Sequence, residues 1–170
     1  MSPASSRPEP ALLAATVGTG LMAGLYLAFD IGVMPALARR DDEGFVSAMR
    51  RANDALDDSA SFGALFLGVF VATGVAARRL RHAEQGEAAR RARAAAVLYG
   101  LSVAVTIGVS LPLNRRLRNA PVAPSAAVRA ARTAYERPWR TANAVRTAAC
   151  LGALALLGDA ARRRVAARTR

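Results

Sequence analysis

Five residues of unlike chemistry stand at the mouths of otherwise apolar runs: Asp30, Asn114, Trp139, Asn143 and Arg146. Asp30 is a carboxylate and Arg146 a guanidinium. Inside a bilayer each costs ~3 kcal/mol on insertion scales, so each needs a reason to be there. Asn114 and Asn143 add amides that both donate and accept, and Trp139 adds a flat ring with one N–H donor. Spacings of four and three place Trp139, Asn143 and Arg146 on one helix face. Two readings stay open. The carboxylate and guanidinium form an ion pair that holds helices together, or the same groups line a site for a small molecule.

The segments that carry these residues decide whether they can meet. Four stretches are long and apolar enough to cross a bilayer, which takes about 20 residues. They run over 11–37, 61–77, 94–113 and about 141–158, the second being the shortest. A soluble bundle would show a polar face on each helix, whereas spans two and three carry no charge on any face. The expected fold is therefore all-α: an integral membrane four-helix bundle over 11–160, with short amphipathic helices in its connectors. Residues 1–10, rich in Pro and Ser, read as a disordered tail, and 161–170 as an Arg-rich C-terminal tail. A small-x-small pattern at Ala36 and Ala38 is preceded by too long an apolar run for a signal peptide, so the first span reads as uncleaved.

Connector one repeats Phe45, Met49, Ala52 and Leu56 at helical spacing after Asp41 and Asp42, which predicts a capped helix on the membrane surface. Connector two, 78–93, is polar and Arg-rich. Connector three, 114–140, predicts a proline turn and then another short helical piece. Four spans bring the ends of spans one and three and the starts of spans two and four to one membrane face. Asp30 lies seven residues inside the end of span one and Arg146 seven beyond Trp139, so both sit roughly 10 Å inward at helical rise. Polar stripes accompany them. Thr19, Tyr26 and Asp30 share a face of span one; Tyr99, Thr106 and Ser110 share one of span three, flanked by Ser102 and Asn114. Span two is richer in Phe and Leu and is expected to face lipid. Plainer roles also exist: helix packing for the Gly20–Gly24 pair, a helix cap for Asn114, an interfacial anchor for Trp139 and snorkelling for Arg146.

Composition excludes several classes. The net charge is +12, yet all twenty-four basic residues are Arg, in clusters between uncharged runs. A nucleic-acid surface would gather them on one face with aromatics or a recognisable motif, so no nucleic-acid partner is expected. Arginines number twelve on the terminal side and eleven on the other, which leaves the orientation unassigned. One Cys, Cys150, and one His, His82, lie far apart and make no metal site of the usual ligand count. No phosphate loop, dinucleotide fingerprint or serine triad pattern occurs, so neither metal nor cofactor is expected.

Three elements, "GLYLAFDIGVMPAL", "SLPLNRRL" and "PWRTANAVRT", give the chain from Ala11 to Gly158 a further identity. It resembles the anthrone oxygenase-like membrane proteins, the family catalogued as domain of unknown function 1772. The resemblance falls on Pro35, Pro112, Asn114, Trp139, Asn143 and Arg146. It implies a four-helix membrane fold and, in some relatives, oxidation of an anthrone to an anthraquinone with O₂ and no added cofactor. Removing a proton from the methylene of such a molecule gives an electron-rich anion that reacts with O₂ itself. The expected catalytic residues are Asp30 as base and Arg146 with Asn143 as oxyanion partners. Asn114, Trp139, Tyr26, Thr106 and Ser110 are the expected substrate-binding residues. The ligands implied are a lipophilic metabolite, O₂ and the surrounding bilayer, and the Arg- and Ala-rich composition places that bilayer in a bacterial plasma membrane. A non-catalytic protein with a structural or lipid-binding polar cluster is the competing expectation.

Overall fold

Helix formation begins where Glu9 accepts the Leu12 N–H with its carboxylate and Pro10 takes the first helical position, which lacks an intrahelical partner in any case. The computed structural model describes residues 9–168 and contains five helices. They are α1 (Pro10–Ala38), α2 (Asp42–Asp57), α3 (Ala60–His82), α4 (Gly86–Arg118) and α5 (Ser125–Arg168). Helices α1, α3, α4 and α5 are long and apolar enough to cross a membrane. They close a four-helix ring in which each packs on two neighbours, α1 on α3 and α5, α4 on α3 and α5. This is the integral membrane bundle expected from the sequence.

Two apolar cores fill it. The larger lies between the four long helices, around Met22, Phe66, Leu80, Tyr99, Cys150 and Leu157. The smaller lies at one end, where α2 folds over the bundle and packs Phe45, Val46 and Met49 on Met34, Leu117, Val128, Tyr135 and Trp139. Asp41 caps α2 by accepting the Gly44 N–H. The amphipathic helix expected in connector one is therefore present, but its apolar face is spent on the protein. Its stripe continues through Asn53, which is buried, whereas the expected Ala52 and Leu56 are only half-buried.

Several boundaries differ from expectation. Polar, Arg-rich residues do not end the long helices, because past the apolar run they keep their backbone bonds and extend their side chains into water. Thus α3 runs to His82 and α4 starts at Gly86, leaving a short turn from connector two. In connector three the chain turns at 119–124, but the piece after it is no separate helix. It is the first third of α5, which passes through Pro138 unbroken. Asn114 lies inside α4 rather than capping it. Of the expected disordered tail, 1–10, residues 1–8 lie outside the described residues, as do 169–170, whereas Glu9 and Pro10 belong to the start of α1. The described part of the Arg-rich tail is helical, and Arg162 and Arg163 pair with Asp159 there.

Helices α1 and α4 each contain one π-helical turn, Phe29–Val33 and Thr106–Ser110. In these turns the Met34 N–H bonds to Phe29 O and the Leu111 N–H to Thr106 O, five residues back. A proline follows at once in each case, Pro35 and Pro112. A proline ring clashes with the carbonyl four residues before it in a regular helix, and the widened turn relieves that clash. The turn also inserts one extra residue. Asn114 then falls where a residue seven after Thr106 would fall, two turns on and on the same face. Asn114 thereby joins the Thr106–Ser110 stripe rather than flanking it.

Close helix approach occurs at Gly18, where an added Cβ would collide with Val69 Cγ2 on α3. The Gly20–Gly24 pair does not serve that purpose. A Cβ at Gly20 meets only Leu154 at 3.7 Å, and one at Gly24 meets nothing within 4 Å. Gly18→Leu is predicted to lower stability by about 1–3 kcal/mol through overpacking, while Gly24→Leu is neutral. Thermal midpoints of the detergent-purified variants check this; equal midpoints would contradict the close α1–α3 crossing.

Candidate functional site

The site forms in the layer between the two apolar cores, where α5 presents Tyr135, Trp139, Asn143, Arg146 and Thr147 inward. The first three are four residues apart, so they form one continuous stripe. All five are buried, with Asn143 fully so and Arg146 6% exposed. Trp139 and Arg146 therefore point into the protein, which removes the lipid-anchor and snorkelling readings.

Arg146 is held without a carboxylate partner among the described residues. Its Nη2 donates to Asn143 Oδ1 at 2.8 Å and its Nη1 makes a long contact of 3.5 Å to Thr106 Oγ1. Its Nε has no protein partner. The guanidinium carbon lies 4.4 Å from the centre of the Tyr26 ring and 5.5 Å from that of Trp139. Two aromatic faces thus supply part of the electrostatic compensation that an acid would give.

Asp30 is near but not paired with it. One carboxylate oxygen accepts from Asn143 Nδ2 at 2.7 Å, and the other accepts from Thr147 Oγ1 at 2.6 Å. Asn143 Nδ2 also reaches Tyr26 O at 2.8 Å. The direct Asp30–Arg146 ion pair expected from matched depth is replaced by a relay: carboxylate to amide to guanidinium. The amide fits because α1 and α5 are separated here by about one side chain, and because Asn can donate at one end and accept at the other.

A second network lies alongside. Asn114 Oδ1 accepts from Tyr135 Oη at 3.0 Å and from Trp139 Nε1 at 3.1 Å. Its Nδ2 donates to Asp57 Oδ2 at 2.9 Å. Asn53 on α2 donates to Tyr135 Oη at 3.1 Å. These bonds fix the Asn114 amide with its donor end toward Asp57. Trp139 is further held against Phe29, with ring centres 5.4 Å apart.

Between the two networks is a cavity of about 40 Å³ lined by Tyr26, Thr106, Ser110, Asn114, Trp139, Asn143 and Arg146. Half-buried Leu25 and Phe29 of α1, Leu56 of α2, Phe62 of α3 and Leu111 of α4 complete it, and Asp57 lines it as well. Ser110 is buried and its hydroxyl has no protein partner. Every expected site residue except Asp30 thus reaches one cavity. Asp30 instead borders a separate outer groove with Glu136, Arg137 and Arg140. No group of three His, Cys, Asp or Glu side chains gathers among the described residues.

Asn53, Asp57, Tyr135 and Thr147 were not anticipated. A signal for three of them exists: Asn53 extends the Phe45–Met49 stripe by four residues, and Tyr135 and Thr147 extend the Trp139–Asn143 stripe by four on either side. A polar residue that continues an apolar stripe is in the core, so it needs a partner there.

Fold and site together define a small four-helix membrane protein with a buried cation and two amides around a small cavity at one end of the bundle. The chain belongs to the anthrone oxygenase family, whose pattern it matches over residues 53–156, more than half of its length. The match is narrower than the resemblance traced from Ala11 to Gly158. It takes in Asp57, Asn114, Trp139, Asn143 and Arg146, and leaves Tyr26 and Asp30 on α1 outside. No curated protein and no solved structure matches the chain.

The Asp30 network makes a measurable demand. Thr147→Val is predicted to cost about 1 kcal/mol, and less in an Asp30→Asn background, because the two side chains share one bond. Such couplings in membrane helices average about 0.6 kcal/mol. A double-mutant cycle on unfolding in detergent measures the coupling; additive losses would show that the bond contributes nothing.

Proposed function

We propose that this protein is a membrane oxygenase that converts a lipophilic carbon acid to its ketone with O₂, a polycyclic anthrone being the substrate class to which the family points. The single observation that carries this reading is Arg146: buried, unpaired with any described carboxylate, and on the cavity wall. A cation kept without its own anion in an apolar bundle stabilises an anion that arises there. Deprotonating a methylene conjugated with a carbonyl, as across the central ring of an anthrone, creates such an anion, with the charge on oxygen, and the electron-rich enolate gives an electron to O₂ directly. Ser110, whose hydroxyl has no partner among the described residues, is the further donor available in the same cavity, whereas the Asn143 amide is already engaged by Asp30, Tyr26 and Arg146.

The cavity has room for about two or three waters, or for a molecule the size of O₂, but not for a fused tricycle. On this reading the substrate's oxygen edge enters toward Arg146, while its rings part the apolar border at Leu25, Phe29 and Phe62. That border lies at the first turn of α3, near the bilayer surface, so the substrate arrives from lipid. The bilayer itself is proposed to be a bacterial plasma membrane. The competing reading, a polar cluster that only holds the helices, draws its support from the small size of the cavity and from the hydrogen bonds to both oxygens of Asp30.

The test is O₂ uptake and quinone formation by purified protein mixed with an anthrone, with and without a chelator. Arg146→Gln is predicted to lower kcat by about 100- to 1,000-fold with a smaller change in KM, because the oxyanion partner matters most as charge develops. Trp139→Ala chiefly raises KM. Wild-type turnover no faster than spontaneous oxidation would transfer the protein to the non-catalytic class. Loss of activity on chelation would bring a metal into the reaction.

A further inference from the structure

The oxygenase reading requires a base, and the geometry points to one that the sequence pattern did not: we infer that Asp57 takes the substrate proton and later returns it. The inference rests on the reading above. Three observations carry it.

First, Asp57 is the carboxylate that lines the Arg146 cavity among the described residues. Asp30 borders a different groove, and both its oxygens are already engaged by Asn143 and Thr147. A base must reach the proton it removes, and geometry decides this before acidity does. Second, Asp57 is aimed. Asn114 Nδ2 holds its Oδ2 at 2.9 Å, and Asn114 is itself fixed by Tyr135 and Trp139. Three buried groups thus orient one carboxylate, leaving its other oxygen without a hydrogen-bond partner among the described residues. Its acidic neighbours are differently employed: Asp54 and Asp58 both hold Arg118, whereas no cation pairs with Asp57 among the described residues. Third, Asp57 is the last residue of α2 and is exposed, while Arg146 on α5 is buried, and both line one cavity. The acceptor for the proton and the partner for the electrons are thus separate groups from different helices, as an enolising site needs.

The balanced sequence follows. The Asp57 carboxylate accepts one proton from the methylene, and the C–H electron pair becomes the enolate, whose oxygen faces Arg146. The enolate passes one electron to O₂, giving a carbon-centred radical and superoxide. These combine to form a C–O bond and a peroxide anion. Protonated Asp57 returns its proton to the terminal peroxide oxygen. The hydroperoxide then loses water, as the remaining hydrogen on that carbon leaves and the O–O bond breaks, to give the ketone. One methylene and one O₂ become one carbonyl and one water, and Asp57 ends as it began. Asn114 is the positioning residue of this scheme.

Proton removal can be read without oxidation. Under anaerobic conditions in D₂O, the methylene of an anthrone exchanges its hydrogens, and the rate above the spontaneous one is followed by proton NMR. Wild type is expected to accelerate this exchange. Asp57→Asn, which can still accept the Asn114 donor, is expected to lose about 100- to 10,000-fold of that acceleration while remaining monodisperse in detergent. Asp57→Glu recovers part of it, and Asp58→Asn, whose carboxylate pairs with Arg118 and does not line the cavity, keeps it. Binding of a non-reactive phenolate, followed by Trp139 fluorescence, stays within a few-fold of wild type in Asp57→Asn. Exchange at the wild-type rate in Asp57→Asn would overturn the inference, and its loss in Asp30→Asn alone would move the base to Asp30. Wild-type protein that exchanges but takes up no O₂ would sink the oxygenase reading and leave the base assignment standing. Wild-type protein that does neither would sink both.

Discussion

A buried guanidinium that no carboxylate among the described residues pairs with directly is the constraint around which the rest of this structure is arranged. Removing Arg146 from water costs several kcal/mol unless other groups replace the lost hydration. The replacements come from three helices: the Tyr26 ring from α1, the Thr106 hydroxyl from α4, and the Trp139 ring and Asn143 amide from α5 itself. Each needs support of its own. Asn143 presents its oxygen to Arg146 because Asp30 and the Tyr26 carbonyl take its N–H groups. Trp139 keeps its ring in place because Asn114 takes the indole N–H. The polar layer is therefore one chain of dependence, and its position between two apolar cores keeps lipid and bulk water from competing with it.

The backbone bears part of the cost. Regular α-helices would turn Asn114 away from Thr106 and would clash at Pro35 and Pro112. Two π turns solve both problems at once, and both lie in helices that line the site. Such turns are frequently found at functional sites because they re-aim side chains without breaking a helix. Their placement in α1 and α4, which run in the same direction, gives the two halves of the chain a common plan: a span with a π turn and a proline, a polar connector, and a returning span.

Much of this plan was legible in the sequence, and the reason is physical. A bilayer imposes length and apolarity on any segment that crosses it, so four spans, their shared face and the depth of Asp30 and Arg146 follow from residue types alone. Helical spacing then placed Trp139, Asn143 and Arg146 together. What escaped was whatever depends on backbone irregularity or on partners brought from far away. The π turns shift phase by one residue, and no period of 3.6 reveals that. A separate short helical piece was expected in connector three, yet packing of Tyr135 and Trp139 on α2 accompanies one continuous α5 that runs through Pro138. The Asp30–Arg146 pairing followed from charge and depth, but lateral distance between helices is not written in depth, and an amide fills the gap.

The division of labour between the two carboxylates also follows from the fold rather than from residue type. Asp30 is on a long helix whose position is fixed by the bundle, so its oxygens can be saturated by Asn143 and Thr147 and it serves as a fixed negative charge behind the amide. Asp57 is at the end of α2, beside the turn into α3, where one side faces the cavity and the other leaves it. A carboxylate that stabilises a buried cation through an amide should be immobile and fully bonded. A carboxylate that exchanges a proton with a substrate needs one free oxygen and an exit. The same residue type meets opposite requirements because one copy is locked in the interhelical layer and the other stands at its rim.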